Sequence, residues 1–413
     1  MNRSMRLPST LVVLFFILSP FTWSFLFITG PFLVRPIDIV SVLLILMTVF
    51  FGKIIISRKA IVPIALFLIL LSWLLVNAIV MNELLAIETI GKVSLYLMSS
   101  VCVASWIVLL NYRVSGRLFM SAIVILSMWI IFTRPEIVEA FSKFSYNVIS
   151  NPPRSFFNFW HDIFNINFFG PSKLLVKGVS FRNTMSLGFL TCALFAYGVA
   201  KPSVFSTTLF YLFLALAISS LSRTGILSAL LFILIISLSI RSVKSGVAFF
   251  TVIVGVALYI FNSANVFLDT VGTRFTGGYQ GRRSYIIESI EILNVNPLWG
   301  LGVDAKVSGL SGTDNLVHNV SIALGTQFGL LALFFSALII TFNFYAFIYF
   351  IKKWLFTDNP REKQLYTIFI VAAFIIVVRP NLSASAQNFY SYAEWGCFSL
   401  VLAGFSLSSF SKR

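Results

Sequence analysis

The sequence has few charged residues, few histidines and few cysteines, and each shortage excludes a class of protein. Charged residues make up 11% of the 413 residues and apolar residues 58%, and the mean hydropathy is +0.95. A soluble domain needs about twice that charged share to cover its exterior, which excludes a soluble enzyme and a DNA-binding domain. Two histidines and three cysteines without a C-x-x-C pair exclude a histidine-rich metal cluster and indicate no disulfide framework.

Long apolar runs recur along the whole chain and predict an all-α, polytopic integral membrane protein. A helix needs roughly 20 apolar residues to cross a hydrocarbon core of about 30 Å. The first run, from Leu11 to Ile28, is longer than the apolar part of a signal peptide and is predicted to be a retained helix. The sequence predicts a single transmembrane domain, 1–413, with about twelve transmembrane helices at 11–30, 35–51, 61–81, 91–110, 117–133, 183–200, 203–222, 224–240, 245–262, 327–351, 365–379 and 391–409.

The distribution of basic residues predicts how the chain is oriented. The net charge is +16, and the short loops on one side are all basic, which the positive-inside rule assigns to the cytoplasm. Among the acidic residues, only Asp358 and Glu362 fall in those loops. An even number of spans with both termini cytoplasmic satisfies this pattern. The basic loops are therefore expected to contact the lipid bilayer and not a nucleic acid.

Two predicted outer loops are long, and long loops tend to carry function. The first, 134–182, is rich in aromatic residues, which predicts one or two helices lying in the membrane interface. The second, 263–317, contains a predicted short amphipathic helix from Ile286 to Leu293. This second loop is the predicted place of the active site.

Three arginines lie in or beside very short outer connections and so depart from the positive-inside pattern. An arginine near hydrocarbon costs roughly 2.5–3.5 kcal/mol, so an anion is expected to offset the charge. The guanidinium fork binds two phosphate oxygens at once, which favours a phosphate ligand. The other interpretation is that the side chains reach toward lipid headgroups. These arginines are Arg35, Arg223 and Arg379.

The second long loop carries further candidate residues. Arg282 and Arg283 follow a glycine-rich run just before the predicted amphipathic helix, where guanidinium and backbone N–H groups can converge on a phosphate. His318 closes the loop and can take a proton from a hydroxyl group near neutral pH. A capping or interface histidine is the alternative interpretation for His318, and His161 is interpreted as structural.

These motifs, in this order, resemble the O-antigen ligase and O-antigen polymerase family of bacterial membrane glycosyltransferases. The layout of about twelve spans, with a large outer loop before the tenth, is similar too. One departure is Ala332, where the ligase form usually has Gly, Thr or Tyr. The motifs that carry the resemblance are Ser222-Arg223-Thr224-Gly225, Gly281-Arg282-Arg283, Asn296-Pro297-Leu298-Trp299-Gly300-Leu301-Gly302 and His318-Asn319 with Gly329 ten residues later.

The resemblance implies transfer of a glycan from undecaprenyl pyrophosphate at the periplasmic face of the bacterial inner membrane, without a metal or other cofactor. The two long loops would then be periplasmic. Arg223 and His318 are expected to be catalytic, and Gly300, Gly302 and Asn319 are expected to shape the loop. The residues expected to bind the pyrophosphate are Arg223, Arg282, Arg283, Arg35 and Arg379.

Three functions remain open. A polymerase and a ligase differ in the acceptor of the glycan, and a transporter has no acceptor. The preferred function is a polymerase that joins lipid-linked repeat units into a surface polysaccharide such as O-antigen or exopolysaccharide. A ligase that moves finished glycan onto lipid A-core, or onto a protein, shares the donor chemistry. A flippase or small-solute transporter, from another class, would line the membrane midplane with polar groups, whereas no charged residue lies near the middle of a confidently predicted span.

Overall fold

The structure is a computed structural model. It describes residues 6–21, 27–29, 32–52, 54–133, 135–147, 155, 158–159, 162–163, 180–220, 222–239, 286–302, 319–382 and 392–410.

The described part of the chain is mainly helical. One small antiparallel hairpin pairs β1 (Phe27–Thr29) with β2 (Phe32–Val34). The first half of the chain contributes α1 (Arg6–Leu18), α2 (Pro36–Phe51), α3 (Arg58–Val80), α4 (Leu84–Leu109), α5 (Gly116–Thr133) and α6 (Pro135–Asn147). The second half contributes α7 (Ser180–Leu194), α8 (Val204–Ser219), α9 (Arg223–Ser239), α10 (286–295), α11 (Val320–Phe328), α12 (Leu330–Phe356), α13 (Pro360–Leu382) and α14 (Tyr392–Phe410).

Three helices in the described part of the chain are long and apolar enough to cross a membrane. They are α3, the stretch Ile90–Leu109 of α4, and the 27-residue α12. Other apolar helices, α2 and α8 among them, are between 10 and 17 residues long. The fold therefore has helices of membrane-spanning length and composition, and the total of twelve crossings stays a prediction.

A helix overlaps every predicted span except 245–262, which lies outside the described residues. The first prediction, 11–30, is wrong in extent because α1 ends at Leu18 and β1 begins at Phe27. Pro20 lacks an N–H group, and a residue before proline is disfavoured in a helix. A short 3-10 turn, Ser19–Phe21, follows instead, and α7 packs against it.

Two spans near the C-terminus also differ from prediction. The predicted short span 365–379 is part of α13, which has 23 residues. Asn359 caps its start, because its Oδ1 accepts from the N–H of Arg361 at 2.9 Å. The charged first turn is helical although its side chains are not apolar. The predicted span 327–351 is interrupted at Gly329, which separates α11 from α12.

The core of the bundle is formed by the last two helices. Most side chains of α14, including Trp395 and Phe398, are inaccessible to solvent. This helix packs against α3, α4, α7 and α13, and α13 in turn packs against α9 and α12. Because these apolar helices are surrounded by others, any polar group on their inner faces must find its partner within the protein.

The two predicted outer loops are described only in part. The helix α6 falls in 134–182 and is amphipathic, with Ile137 and Ala140 buried and Phe141 exposed. The rings of Phe141 and Phe144 both pack against Phe159. In 263–317, the helix predicted from Ile286 to Leu293 is confirmed as α10, in which Leu293 is buried and Ile287 and Ile290 are exposed. The boundaries of both loops and their side of the membrane stay predictions.

Candidate functional site

The segment 296–302, here called the docking segment, lies across the C-terminal end of α11. The N–H groups of Leu301 and Gly302 donate to the carbonyl oxygens of Thr326 and Gln327, both at 2.9 Å. The last carbonyl groups of a helix have no partner within that helix. The docking segment supplies the donors that this end of α11 lacks.

The glycines of the docking segment have a conformational reason to be glycine. Gly300 and Gly302 adopt φ angles of 70° and 90°, which side chains other than glycine rarely adopt. A Cβ atom on Gly300 would lie 2.5 Å from the carbonyl carbon of Gln327, and one on Gly302 would overlap the carboxylate of Glu83. Close backbone contact with α11 therefore depends on both glycines.

A tight turn at Asn296 gives the docking segment its shape. The Nδ2 of Asn296 donates to the carbonyl oxygen of Gly300 at 2.7 Å, and the N–H of Gly300 donates back to the carbonyl of Asn296 at 3.1 Å. The N–H of Leu330, the first residue of α12, donates to the carbonyl of Pro297 at 2.7 Å. The turn therefore binds both helices that meet at Gly329.

Helix α3 anchors the docking segment from the other side. Trp73 donates its indole N–H to the carbonyl of Phe328 at 2.9 Å, and its ring stacks on Trp299 with centroids 5.5 Å apart. The Nδ2 of Asn77 donates to the carbonyls of Trp299 at 2.8 Å and Phe328 at 3.3 Å. One buried amide thus joins α3, the docking segment and α11.

Replacing Asn77 by alanine is expected to destabilise the protein by about 1–3 kcal/mol, because the carbonyl of Trp299 loses this donor while that of Phe328 keeps the indole N–H of Trp73. Thermal unfolding of the purified protein in detergent measures the change. The control is Asn294→Ala, since Asn294 is exposed on α10 and its loss should change stability by less than about 0.5 kcal/mol. Equal melting temperatures for the Asn77 variant and the wild type would contradict the anchoring role.

The chain reverses direction at Gly329. A Cβ atom on Gly325 would lie 2.9 Å from the Cβ of Leu333. On one continuous helix, residues eight apart would be separated by about 12 Å, so α11 folds back against α12. Gly329 permits this with φ 84° and ψ 179°, a region that is essentially restricted to glycine.

Asn319 is the N-cap of α11. Its Oδ1 accepts a hydrogen bond from the N–H of Ile322 at 3.1 Å, as asparagine commonly does at a helix start. Nearly all of α11 is buried, including Ser321 and Gln327. The role of Asn319 in the fold is therefore to fix the start of a buried helix, directly after His318 in sequence.

Several predicted site residues lie outside the described part of the chain. These are Arg282, Arg283 and His318, together with His161, and the side chain of Arg223. Their described neighbours do pack together, because the Cδ1 of Leu293 on α10 lies 3.4 Å from where a Cβ on Gly325 of α11 would be. The helix that follows Arg283 and the helix that follows His318 are therefore in contact.

The motif around Arg223 opens α9. The hydroxyl of Ser222 accepts from the N–H of Gly225 at 3.3 Å and caps the helix. Gly225 contacts α7 so closely that a Cβ atom would overlap the hydroxyl of Ser186. Arg223, as the first residue of α9, has its backbone at the positive end of the helix dipole.

Arg379 lies near the end of α13 and is paired with a carboxylate of the protein. Its Nη1 forms an ion pair with Glu394, and its Nη2 donates to the hydroxyl of Thr184 at 3.1 Å. All three residues are buried. Losing one member of a buried pair leaves an uncompensated charge, which costs about 3–5 kcal/mol. The sequence predicts an anion that offsets the charge of Arg379, and the carboxylate of Glu394 supplies at least part of that negative charge.

Arg35 is buried at the N-cap position of α2. Its backbone N–H donates to the Oδ2 of Asp38 at 2.8 Å. The other oxygen of Asp38 accepts from the hydroxyl of Tyr96 on α4 at 2.9 Å. Asp38 thus joins the start of α2 to α4. Arg35, like Arg379, therefore has a carboxylate of the protein nearby, here bonded to its backbone N–H.

Sequence reasoning did not identify Asp38, Tyr96, Thr184 or Glu394 as part of this arrangement. Asp38 lies three residues after Arg35, the position from which an acidic side chain can accept from the N-cap N–H, and that spacing is visible in the sequence. Glu394 is 15 residues from Arg379 on another helix, so only the packing of α13 against α14 brings the two together.

Among the described residues, no three histidine, cysteine, aspartate or glutamate side chains are grouped so that they could hold a metal ion. The cysteines Cys102, Cys192 and Cys397 are all buried and free. The polar groups that the structure brings together are hydrogen-bonding and charged side chains.

A scan of the sequence against protein-family models found no match, and a search of the curated proteins found no significant similarity.

Proposed function

We propose that the protein is a membrane glycosyltransferase that uses a glycan linked to undecaprenyl pyrophosphate as its donor. In this proposal it acts at the periplasmic face of the bacterial inner membrane, with about twelve spans and both termini in the cytoplasm. The acceptor is another glycan, so that the protein polymerises the repeat units of a surface polysaccharide.

One observation carries this proposal. The docking segment and the helix that follows His318-Asn319 are two separate motifs in sequence, yet they form one hydrogen-bonded unit. The link between Leu293 and Gly325 adds the helix that follows Arg282 and Arg283 to this unit. Described parts or described neighbours of three of the four motifs that carry the resemblance therefore pack together, and this supports the proposal that the motifs belong to one active site.

The proposed chemistry is a single displacement at the anomeric carbon of the donor. The acceptor hydroxyl oxygen forms a bond to that carbon, and the bond from the carbon to the pyrophosphate oxygen breaks. His318 takes the hydroxyl proton. Arg223, with Arg282 or Arg283, stabilises the negative charge on the departing undecaprenyl pyrophosphate, which lowers the energy of the transition state. The start of α9 adds its helix dipole to the charge of Arg223.

A ligase acting on lipid A-core would use the same donor chemistry. Ala332, which departs from the ligase form of the histidine motif, is completely buried in the first turn of α12. A threonine or tyrosine at this position would require its neighbours to repack. Glycine, which the ligase form also uses here, would fit, so the preference for the polymerase rests on the sequence departure at Ala332 and not on its burial.

Transport is a second candidate function, and one feature favours it. The break between α11 and α12 at Gly329 resembles the discontinuous helices at which many transporters bind their substrates. A flippase or small-solute transporter would use this break as a binding site. The charged pair of Arg379 and Glu394, however, lies at helix ends and not in the middle of a helix.

Deletion of the protein from its native host tests the proposal, with surface and lipid-linked glycans separated by size on a gel. The expected result is that the long ladder disappears and single repeat units remain. Full-length polymer retained on the undecaprenyl carrier would identify a ligase. Normal glycans in a host with no second such enzyme would reject the glycosyltransferase proposal and favour transport.

A further inference from the structure

A series of side-chain and backbone contacts links the backbone of Arg35 to the ion pair of Arg379. The hydroxyl of Tyr96 donates to Asp38, and its ring packs against Trp395 with centroids 6.3 Å apart. One turn further along α4, the hydroxyl of Ser100 donates to the carbonyl of Trp395 at 3.1 Å. Trp395 follows Glu394, the partner of Arg379, in α14. The contacts therefore run from the start of α2 through α4 and α14 to the end of α13.

Helix α7, which carries Thr184, also contacts the start of α9. Thr184, which accepts from Arg379, precedes Ser186 by two residues on α7. Ser186 is the residue against which Gly225 packs without room for a Cβ atom. Helix α9 also packs directly against α13. The backbone that carries Arg223 is thus held by the two helices that Arg379 joins.

We propose that Arg379 and Glu394 are positioning residues that hold the start of α9, and thereby Arg223, in place for the donor pyrophosphate. This inference rests on the proposed function and deepens it. It assigns donor binding to Arg223 and gives Arg379 the role of positioning Arg223. The guanidinium of Arg379 uses one nitrogen for Glu394 and another for Thr184. Its charge is balanced by a buried carboxylate, so it attracts a pyrophosphate less than an uncompensated arginine does.

Exchange of the two charges tests this proposal. Arg379→Glu and Glu394→Arg are each expected to lower polymer formation at least about 100-fold, because each leaves like charges buried together. The double variant restores the pair in reverse, and activity is expected to recover to within about tenfold of wild type. If Arg379 contacted the donor directly, the double variant would stay as inactive as Arg379→Glu at equal protein level, and the proposal would be wrong.

Conservative variants provide a second test that does not require a reversed charge. Arg379→Lys and Arg223→Lys are combined, and the initial rate of transfer is measured in membranes over a range of donor concentrations. A residue that acts through Arg223 should add little to the loss already caused by Arg223→Lys. Losses that multiply would show an independent role and overturn the proposal. If Arg223→Lys has no activity, a further loss cannot be measured, and the charge exchange alone then tests the proposal.

The matched control for these variants is Arg361→Lys. Arg361 lies at the opposite end of α13, where it is half-buried and donates to the carbonyl of Tyr112 at 2.6 Å. Its effect should multiply with that of Arg223→Lys, because its described hydrogen bonds, to Tyr112 and Gln364, do not reach the start of α9. Normal glycans after deletion would reject the proposed function, whereas a deletion phenotype without rescue by charge exchange would reject only this inference.

Discussion

Replacing His318 or Arg223 by alanine is expected to abolish polymer formation without lowering the amount of protein in the membrane. A general base contributes about 100- to 10,000-fold to a reaction rate. Removing a group that stabilises transition-state charge costs about 100- to 1,000-fold. The glycan ladder of cells that carry each variant, compared at equal protein level, measures the effect. Arg223→Lys keeps the charge but loses the fork of donors, so partial activity is expected.

The control for these variants is His161→Ala, which removes the other histidine of the chain. The interpretation of His161 as structural predicts a normal ladder for this variant. A normal ladder in His318→Ala would instead mean that another group takes the proton from the acceptor, and a normal ladder in Arg223→Ala would mean that another group stabilises the leaving pyrophosphate.

Replacing Gly329 by alanine is expected to destabilise the protein strongly. The backbone region that Gly329 adopts costs a residue with a side chain roughly 1–3 kcal/mol. The added Cβ atom would also overlap the carbonyl oxygen of Leu298 and lie 2.8 Å from that of Pro297. The docking segment would have to move away from α12, so a total destabilisation of about 3 kcal/mol or more is expected. Thermal unfolding in detergent measures it, and transfer activity should fall with it.

Gly91→Ala is the matched control and should change stability in the opposite direction. Gly91 is exposed within α4, and no atom lies within 4 Å of where its Cβ would be. Alanine at such a helical position stabilises by about 0.5–1 kcal/mol. Equal effects of the two glycine substitutions would show that the reversal at Gly329 does not depend on its backbone conformation.

Much of the helical layout is predictable from the sequence because apolar runs of the required length form helices. The predictions fail where a local break lies inside an apolar run. Pro20 ends α1 early, and Gly329 divides a continuous apolar stretch into two helices that fold back on each other. Neither residue makes its run less apolar, so a prediction based on the length and hydropathy of the run does not detect either helix break.

The candidate site is predictable to a smaller extent. Arg35 and Arg379 were selected because they depart from the charge pattern, and the structure gives both a buried environment. The partner of Arg379 could not be predicted, because Glu394 reaches it only through the packing of α13 and α14. The family resemblance singles out Gly300 and Gly302 of the docking segment, whereas its anchor at Trp73 and Asn77 lies more than 200 residues earlier in the chain.

The burial of all three cysteines has a practical consequence for the topology of the chain. Buried thiols within packed helices are inert toward thiol reagents, and Cys102, Cys192 and Cys397 are each at most 5% exposed. The three natural cysteines are therefore expected not to react with a membrane-impermeant maleimide. Single cysteines introduced at exposed positions such as Ser145 on α6 and Asp358 before α13 would report which side of the bilayer each faces, without first building a cysteine-free variant.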